Sequence, residues 1–570
     1  MVIGVVLSLL VGFLDGIGLS LFLPLLTHIS TDSPSQNDAD LVSNFLTGLG
    51  IEINLTNILA VILLVFVTKG IVKFIESYVT LNLQVKFSIS LRTLAINSLA
   101  SYKYESFVKA DIGRIQNSLT EEIGRVVNGF NHYYSSLQNA AMIIVYVSLA
   151  LSSNLQFSIL VGAGGLASNL LFRRIYMLSK KYSTLLSDRN NTYHKLLSEA
   201  LNHFKYLSAT SRIDSFRDRV KASIDSVESM NRKLGLIKAV SLSIREPIIF
   251  SVILLSIYIQ SAVFDQPVSI VIISLMFFYR ALTFFMLFQG SWTGYLSMSG
   301  SYKNFFDLIS DIQINSIEKS GRKVTKFNSE IEFKNITFSY NKSKAAIDGI
   351  CLKIPKNKTI SIVGESGSGK TTLINLLCGL IQPTGGDLLF DGIKYSELSI
   401  RELQSRIGYI TQEPVVFDES VFNNITFWSV DNEHNSKRFK AAIQRASLEK
   451  VIEALPEKEQ TILGNNGVTV SGGQRQRLSI ARELFREIDI LILDEATSAL
   501  DSETERLIQQ SIKELHGSCT IIIVAHRLST VRDSDTILLM ENGRVSAQGT
   551  FNDLRETNQV FRRMVELQEL

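Results

Sequence analysis

The sequence predicts an all-α membrane domain of six spanning helices followed by a soluble α/β domain, and three observations carry that reading. Six apolar stretches, at 2–26, 57–78, 136–152, 157–175, 248–264 and 269–288, come near the ~20 residues a spanning helix requires. From about residue 330 onward, short β-branched strands alternate with helices and glycine-rich turns, the pattern of an α/β domain. The composition agrees with both. Over 570 residues the mean hydropathy is +0.19, with 46% hydrophobic and 19% charged residues, and the apolar ones concentrate before about residue 295. The expected organisation is a membrane domain at 1–310, a polar linker at 311–329 and a soluble domain at 330–570.

The first apolar stretch has no basic lead and carries Asp15 inside it, so it reads as a retained helix and not as a cleaved signal. No Lys or Arg precedes Lys69, and the loop after the first stretch carries Asp32, Asp38 and Asp40. By the positive-inside rule that loop faces outside. The links at 152–156 and 265–268 also lack Lys and Arg and are expected outside, leaving the basic residues on the cytoplasmic side. Segments 81–131 and 173–245 are polar, poor in Gly and Pro, and apolar at helical spacing, as in Leu196, Leu197, Ala200, Leu201 and Phe204. They read as helices continuing into the cytosol as hairpins.

A net charge of +3 excludes the basic footprint of a nucleic-acid binder. Cys351, Cys378 and Cys519 lack metal-ligand spacing and read as free thiols of a reducing compartment.

In the soluble half, Gly364-Glu365-Ser366-Gly367-Ser368-Gly369-Lys370-Thr371 follows an apolar strand and precedes the helix that opens with Thr372. This is the context of a phosphate-binding loop. Glycines let backbone N–H groups approach phosphate oxygens, Lys370 neutralises the β and γ charges, Thr371 reaches Mg²⁺, and the helix N-terminus favours the anion. A second apolar strand, 490–493, ends in Asp494 and Glu495. The first carboxylate suits Mg²⁺ and the second can polarise an attacking water, which is what phosphoryl transfer asks of a protein.

The neighbouring motifs resemble those of ATP-binding-cassette proteins. Val470-Ser471-Gly472-Gly473-Gln474 is similar to the family signature, Ser498-Ala499-Leu500-Asp501 to its D-loop, Gln412 to the Q-loop glutamine, His526 to the switch histidine, and Tyr340 to the adenine-stacking aromatic. All stand in family order. The resemblance implies a P-loop ATPase that binds ATP and Mg²⁺, with Thr371, Gln412 and Asp494 around the metal, Glu495 as general base and His526 as γ-phosphate sensor. It further implies nucleotide sandwiched between one subunit's phosphate loop and the other's signature, hence a homodimer or a pairing with a second half-transporter. The domain order resembles the exporter branch. Segments 104–112 and 208–216 would then be coupling helices, and the ATPase would lie in the cytosol beneath the inner membrane. Val470 in place of the usual leucine and Asn465 in place of a frequent glutamate are departures.

Ionisable residues in a bilayer are costly and face a partner or a watery cavity. Lys69, Lys73 and Glu76 read as snorkelling or paired along their own helix. Asp15 and Arg280 sit near the middle of the first and sixth stretches. They read either as a structural ion pair or, for Arg280, as a bidentate partner for an anionic head group. Leu7 to Leu26 and Phe278-Tyr279-Arg280 look similar to flippases of lipid-linked oligosaccharides and related glycolipid exporters. That implies an amphipathic, lipid-borne substrate; a drug or peptide exporter and an ATP-gated channel are the alternatives.

Overall fold

The computed structural model describes residues 1–22, 54–153, 155–264, 268–317, 321–340, 345–464, 467, 469–495, 502–525 and 527–569. By its contacts the chain divides into two compact units, Met1–Tyr102 with Lys109–Ser316, and Lys103–Val108 with Ile317–Leu570.

The first unit is helical throughout. Its long helices are Val2–Ser20, Leu55–Leu99, Ile123–Ser153, Leu155–Asn202, Ile213–Phe264 and Val268–Ser297, closed by Ser299–Ile314. Among the described residues four helical runs are long and apolar enough to cross a membrane: Val2–Ser20, Leu55–Leu99, Ile112–Ser152 and Ile213–Ile259. The other two predicted stretches, 157–175 and 269–288, are helical as well, inside Leu155–Asn202 and Val268–Ser297. Helices run unbroken from apolar sequence into polar sequence, because a segment poor in Gly and Pro has little reason to stop at the bilayer surface. Pro247 is accommodated within Ile213–Phe264, where the Ser251 hydroxyl donates to the Pro247 carbonyl at 2.7 Å. The predicted outside segments around Asp32, Asp38 and Asp40, and the link residues 265–267, lie outside the described residues.

Short helices stand at the turns between the long ones. Tyr104–Lys109 occupies one tip, and Lys103–Val108 belongs to the second unit by its contacts. At the other tip the short helix is Phe204–Ala209, so the predicted 208–216 begins at its end. Asp111 caps Ile112–Asn117 by accepting from the Arg114 N–H at 3.2 Å. Gly113 lets this segment touch the neighbouring helix, since a Cβ there would lie 2.6 Å from the Lys195 Cα. A single π-helical turn, Ser118–Glu122, then leads into Ile123–Ser153. Ser299–Ile314 carries past residue 310, so the first residues of the expected linker complete that helix.

The second unit contains two sheets. The antiparallel one has the order β2-β1-β4-β5, with β1 Glu330–Phe338, β2 Ile347–Pro355, β4 Gly385–Phe390 and β5 Ile393–Lys394. The other has the order β10-β9-β3-β8-β7-β6, with β3 Thr359–Gly364, β6 Ile407–Ile410, β7 Ile490–Asp494, β8 Thr520–Val524, β9 Thr536–Glu541 and β10 Arg544–Gly549. Strands β9, β3, β8, β7 and β6 are mutually parallel, and β7 and β8 are buried at every position. That explains their unbroken Ile/Leu/Val runs, since a parallel sheet is covered on both faces. Burying each such side chain contributes ~1.5–3 kcal/mol, which makes the sheet a rigid platform for whatever its strand ends carry.

Candidate functional site

Parallel topology gathers the candidates. Gly364 ends β3, Asp494 ends β7, and Gln412 stands two residues past β6, so all sit at the carboxyl edge of one sheet, where open α/β folds bind ligands. His526, two residues past β8, and Asp501 are outside the described residues, as are Ser498, Ala499, Leu500 and Asn465.

After β3 the chain turns through Gly367 and Gly369, with φ of 80° and 104°, into the helix Lys370–Leu377. Side chains rarely adopt such angles. A Cβ on Gly364 would lie 2.3 Å from the Met540 carbonyl oxygen, and one on Gly369 would lie 2.7 Å from that of Ala346. The loop therefore rests directly on backbone. Lys370 is buried, and its Nζ donates to the carbonyls of Gly364 at 2.8 Å and Glu365 at 2.9 Å. Burial pushes this ammonium below its usual value, while Glu495 and Asp494 pull it back up. The Ser368 hydroxyl is buried without a protein partner, and Thr371 and Thr372 open the helix behind it. Gly364→Ala should introduce ~1–3 kcal/mol of strain, roughly a tenfold loss of nucleotide affinity. A titration with a fluorescent ATP analogue checks it.

Asp494 and Glu495 take different partners. Tyr409 donates its hydroxyl to Asp494 Oδ2 at 2.9 Å, and Gln412 donates Nε2 to Glu495 Oε2 at 2.8 Å. Glu495 has a φ of 53°, and its N–H donates to the Val524 carbonyl at 3.0 Å. This left-handed backbone turns its side chain away from the line of β7, a strained geometry of the kind found at functional sites. Sequence reasoning missed Tyr409; its place on the strand neighbouring Asp494 is a matter of sheet order, which no local pattern carries. Tyr340 is exposed, meets Phe338 edge-on at 4.8 Å, and has its hydroxyl 3.5 Å from Thr372 Oγ1. Its ring is thus open to a stacking partner beside the phosphate loop.

Ser471, Gly472, Gly473 and Gln474 open the helix Gly472–Phe485. Ser471 Oγ accepts from the Gln474 N–H at 3.3 Å, and Gln474 Oε1 accepts from the Ser471 N–H at 2.9 Å. This reciprocal capping box fixes the helix N-terminus, with Ser471 and Gly472 exposed. Val470 is buried, so the departure from leucine keeps an apolar contact. Among the described residues no hydrogen bond joins this segment to the phosphate loop.

Oxygen donors from Thr371, Gln412 and Asp494 fit Mg²⁺. Among the described residues there is no cluster of three His, Cys, Asp or Glu that could hold a metal ion.

The membrane unit corrects two expectations. Asp15 is bound by the Lys69 ammonium and the Tyr146 hydroxyl and is not paired with Arg280. Lys69 thus reaches across to the first helix, and its pairing is not along its own helix. Lys73 does pair with Glu76, at 2.6 Å, and Glu76 also accepts from Ser8 at 2.6 Å and Gln138 at 2.7 Å. Arg280, on Val268–Ser297, has no hydrogen bond or ion pair among the described residues.

A glycine loop cradling a buried lysine, beside a strand-end carboxylate pair, defines a P-loop ATPase, joined here to a helical membrane unit. A family model described as ABC transporter transmembrane region matches residues 1–288, and one described as ABC transporter matches residues 347–498. The chain belongs to the ABC transporter family, with an ATPase domain that binds ATP and couples its hydrolysis to transport across a membrane. It is 29% identical over 565 residues to the heterocyst differentiation ATP-binding protein HepA of Nostoc sp., covering 97% of this chain and 91% of that one. It is 27% identical to the ATP-dependent lipid A-core flippase of Mannheimia succiniciproducens, over 90% of this chain and 88% of the flippase. The flippase of Cupriavidus pinatubonensis is 38% identical over 246 residues, 43% of this chain and 42% of that one. A solved bacterial Atm1-family ABC exporter with ATP bound shares the fold, with a TM-score of 0.81 at 21% identity over 100% of this chain and 99% of that one.

Proposed function

We propose that this chain is half of a lipid flippase: paired with a second copy or a partner half-transporter, it moves a lipid-linked saccharide or another anionic lipid across a bacterial inner membrane. The observation that carries this reading is Arg280. With Asp15 held by Lys69 and Tyr146, Arg280 stands in an apolar helix without a carboxylate among the described residues. Arg280 is only partly exposed, and a charge in an apolar segment is costly unless it faces a partner or a watery cavity, so it fits a site completed by water or by a substrate anion, and its planar fork suits a phosphate. Similarity to proteins named lipid A-core flippases supports the same substrate class.

In the ATPase, Lys370 would bind the β and γ phosphates, and Tyr340 would stack on adenine. Glu495 would accept a proton from the attacking water, held in place by Gln412. His526 would sense the γ-phosphate. Mg²⁺ held by Thr371, Gln412 and Asp494 would offset phosphate charge. The capped N-terminus at Ser471 offers Gly472 and Gly473 amides to a γ-phosphate bound on the other subunit, and Asp501 would serve the same nucleotide site. ATP then drives transport by binding the outward-facing state more tightly than the inward one.

The test is ATPase stimulation in nanodiscs by lipid-linked saccharide, phospholipid and a cationic amphipathic drug. Arg280→Ala should raise the half-maximal concentration of the anionic lipids about tenfold, the loss of ~1.4 kcal/mol, and leave the response to the drug unchanged. Intact stimulation by every anionic lipid would remove the head-group role. Stimulation by the drug alone would turn the reading to multidrug export, and substrate flux without ATP would turn it to a channel.

A further inference from the structure

The helix that carries Arg280 bears a line of aromatic rings toward its cytoplasmic end. Phe288, Trp292 and Tyr295 follow Arg280 at spacings of eight, four and three residues, which keeps all four on one helical face. Phe288 and Trp292 stack with centroids 6.2 Å apart, and Trp292 meets Tyr295 at 5.3 Å. Tyr133 of Ile123–Ser153 extends the line, 5.5 Å from Tyr295.

These rings are half-buried, not sealed in the core. Neither the Trp292 indole N–H nor the hydroxyls of Tyr133 and Tyr295 has a hydrogen-bond partner among the described residues. Beside them in sequence, Gln289 Nε2 and Asn131 Oδ1 are buried with no partner, and buried amides without partners call for a polar group to complete them. Aromatic faces flanked by unspent donors and acceptors are the chemistry that recognises a pyranose. Its C–H bonds meet the negative π face while its hydroxyls take the polar edge.

Resting on the reading of Arg280 as the phosphate-binding residue, we propose that Phe288, Trp292, Tyr295 and Tyr133 form a track that holds the saccharide portion of the substrate on the cytoplasmic side of Arg280. Twelve residues separate Arg280 from Trp292, about 18 Å at the helical rise, which leaves room for several sugar rings between the phosphate and the far end. The track therefore selects an oligosaccharide over a single sugar. An apolar chain and a phosphate alone use Arg280 without the rings.

The experiment uses the full-length chain in nanodiscs with two probes, undecaprenyl diphosphate bearing a hexasaccharide and sugar-free undecaprenyl diphosphate. Trp292→Leu and Tyr295→Leu should each raise the half-maximal stimulating concentration of the hexasaccharide lipid tenfold or more, with the sugar-free lipid shifted less than twofold, and Trp292→Phe should recover most of the loss. Because Trp292 and Trp428 are the two tryptophans of the sequence, a Trp428→Phe protein reports Trp292 alone. Its emission should shift on adding the hexasaccharide lipid and stay unmoved by the sugar-free one. Equal loss with both probes, or no loss with either, means that the rings only anchor the helix at the membrane surface and overturns the track. Arg280→Ala separates the two readings: it should weaken both lipids. If neither lipid stimulates the unaltered protein, the flippase reading fails and the track fails with it.

Discussion

Replacing Glu495 with glutamine is expected to lower steady-state ATP hydrolysis by roughly 10²–10⁴-fold, the contribution of a positioned general base, with ATP still bound. The geometry explains why the two effects separate. Glu495 lies beyond the end of β7, held by its N–H to the Val524 carbonyl and by the Gln412 amide at 2.8 Å to its carboxylate. Glutamine keeps the shape and leaves a carbonyl oxygen to accept from Gln412, but it cannot accept a proton from water. Lys370 and the glycine loop are untouched, so phosphate binding survives. Single-turnover hydrolysis and retention of labelled ATP after gel filtration measure the two quantities independently. Hydrolysis at the unaltered rate would place the base elsewhere, and loss of bound ATP would mean that the substitution disturbs the loop.

Much of the ATPase site was legible because its chemistry is written in consecutive residues. The loop 364–371, the strand-end pair Asp494 and Glu495, and the signature opening at Ser471 each depend on one strand or one helix with its cap, and local sequence encodes those. Tyr409 and the Gln412–Glu495 bond depend on β6 lying next to β7. The sequence separates those strands by some eighty residues, and no periodicity reports which strands become neighbours. In the membrane unit, hydropathy marks the helical stretches, and the scarcity of breakers points to their extension into polar sequence. Partner choice was beyond it. Asp15 and Arg280 are the two charges nearest the middle of apolar stretches, so the sequence allows an ion pair between them as readily as an Arg280 that meets an anionic head group. Lys69 looked like an end-of-helix charge, yet its long stem reaches the first helix. The π-helical turn at Ser118–Glu122 left no sequence signal either, since one extra residue in a turn is set by tertiary packing around the buried Glu122.

The Asp15 site makes the second large prediction. The Asp15 side chain is 4% exposed and that of Lys69 27%, and Tyr146, which also donates to Asp15, is fully buried. Asp15→Ala strands the Lys69 charge and the Tyr146 hydroxyl together, and removing one partner of a buried pair costs about 3–5 kcal/mol. Asp15→Ala combined with Lys69→Met takes away the uncompensated charge and keeps the stem's apolar contact, so the double variant should be more stable than Asp15→Ala alone. The coupling should exceed ~1 kcal/mol, well above the ~0.5 kcal/mol within which independent sites add. Thermal unfolding of the four proteins in one detergent, followed by tryptophan emission, supplies the cycle. Additive losses would show that Asp15 and Lys69 do not depend on each other. Asp15 would then be available to Arg280, and an arginine with its own carboxylate has no unmet demand for a substrate phosphate.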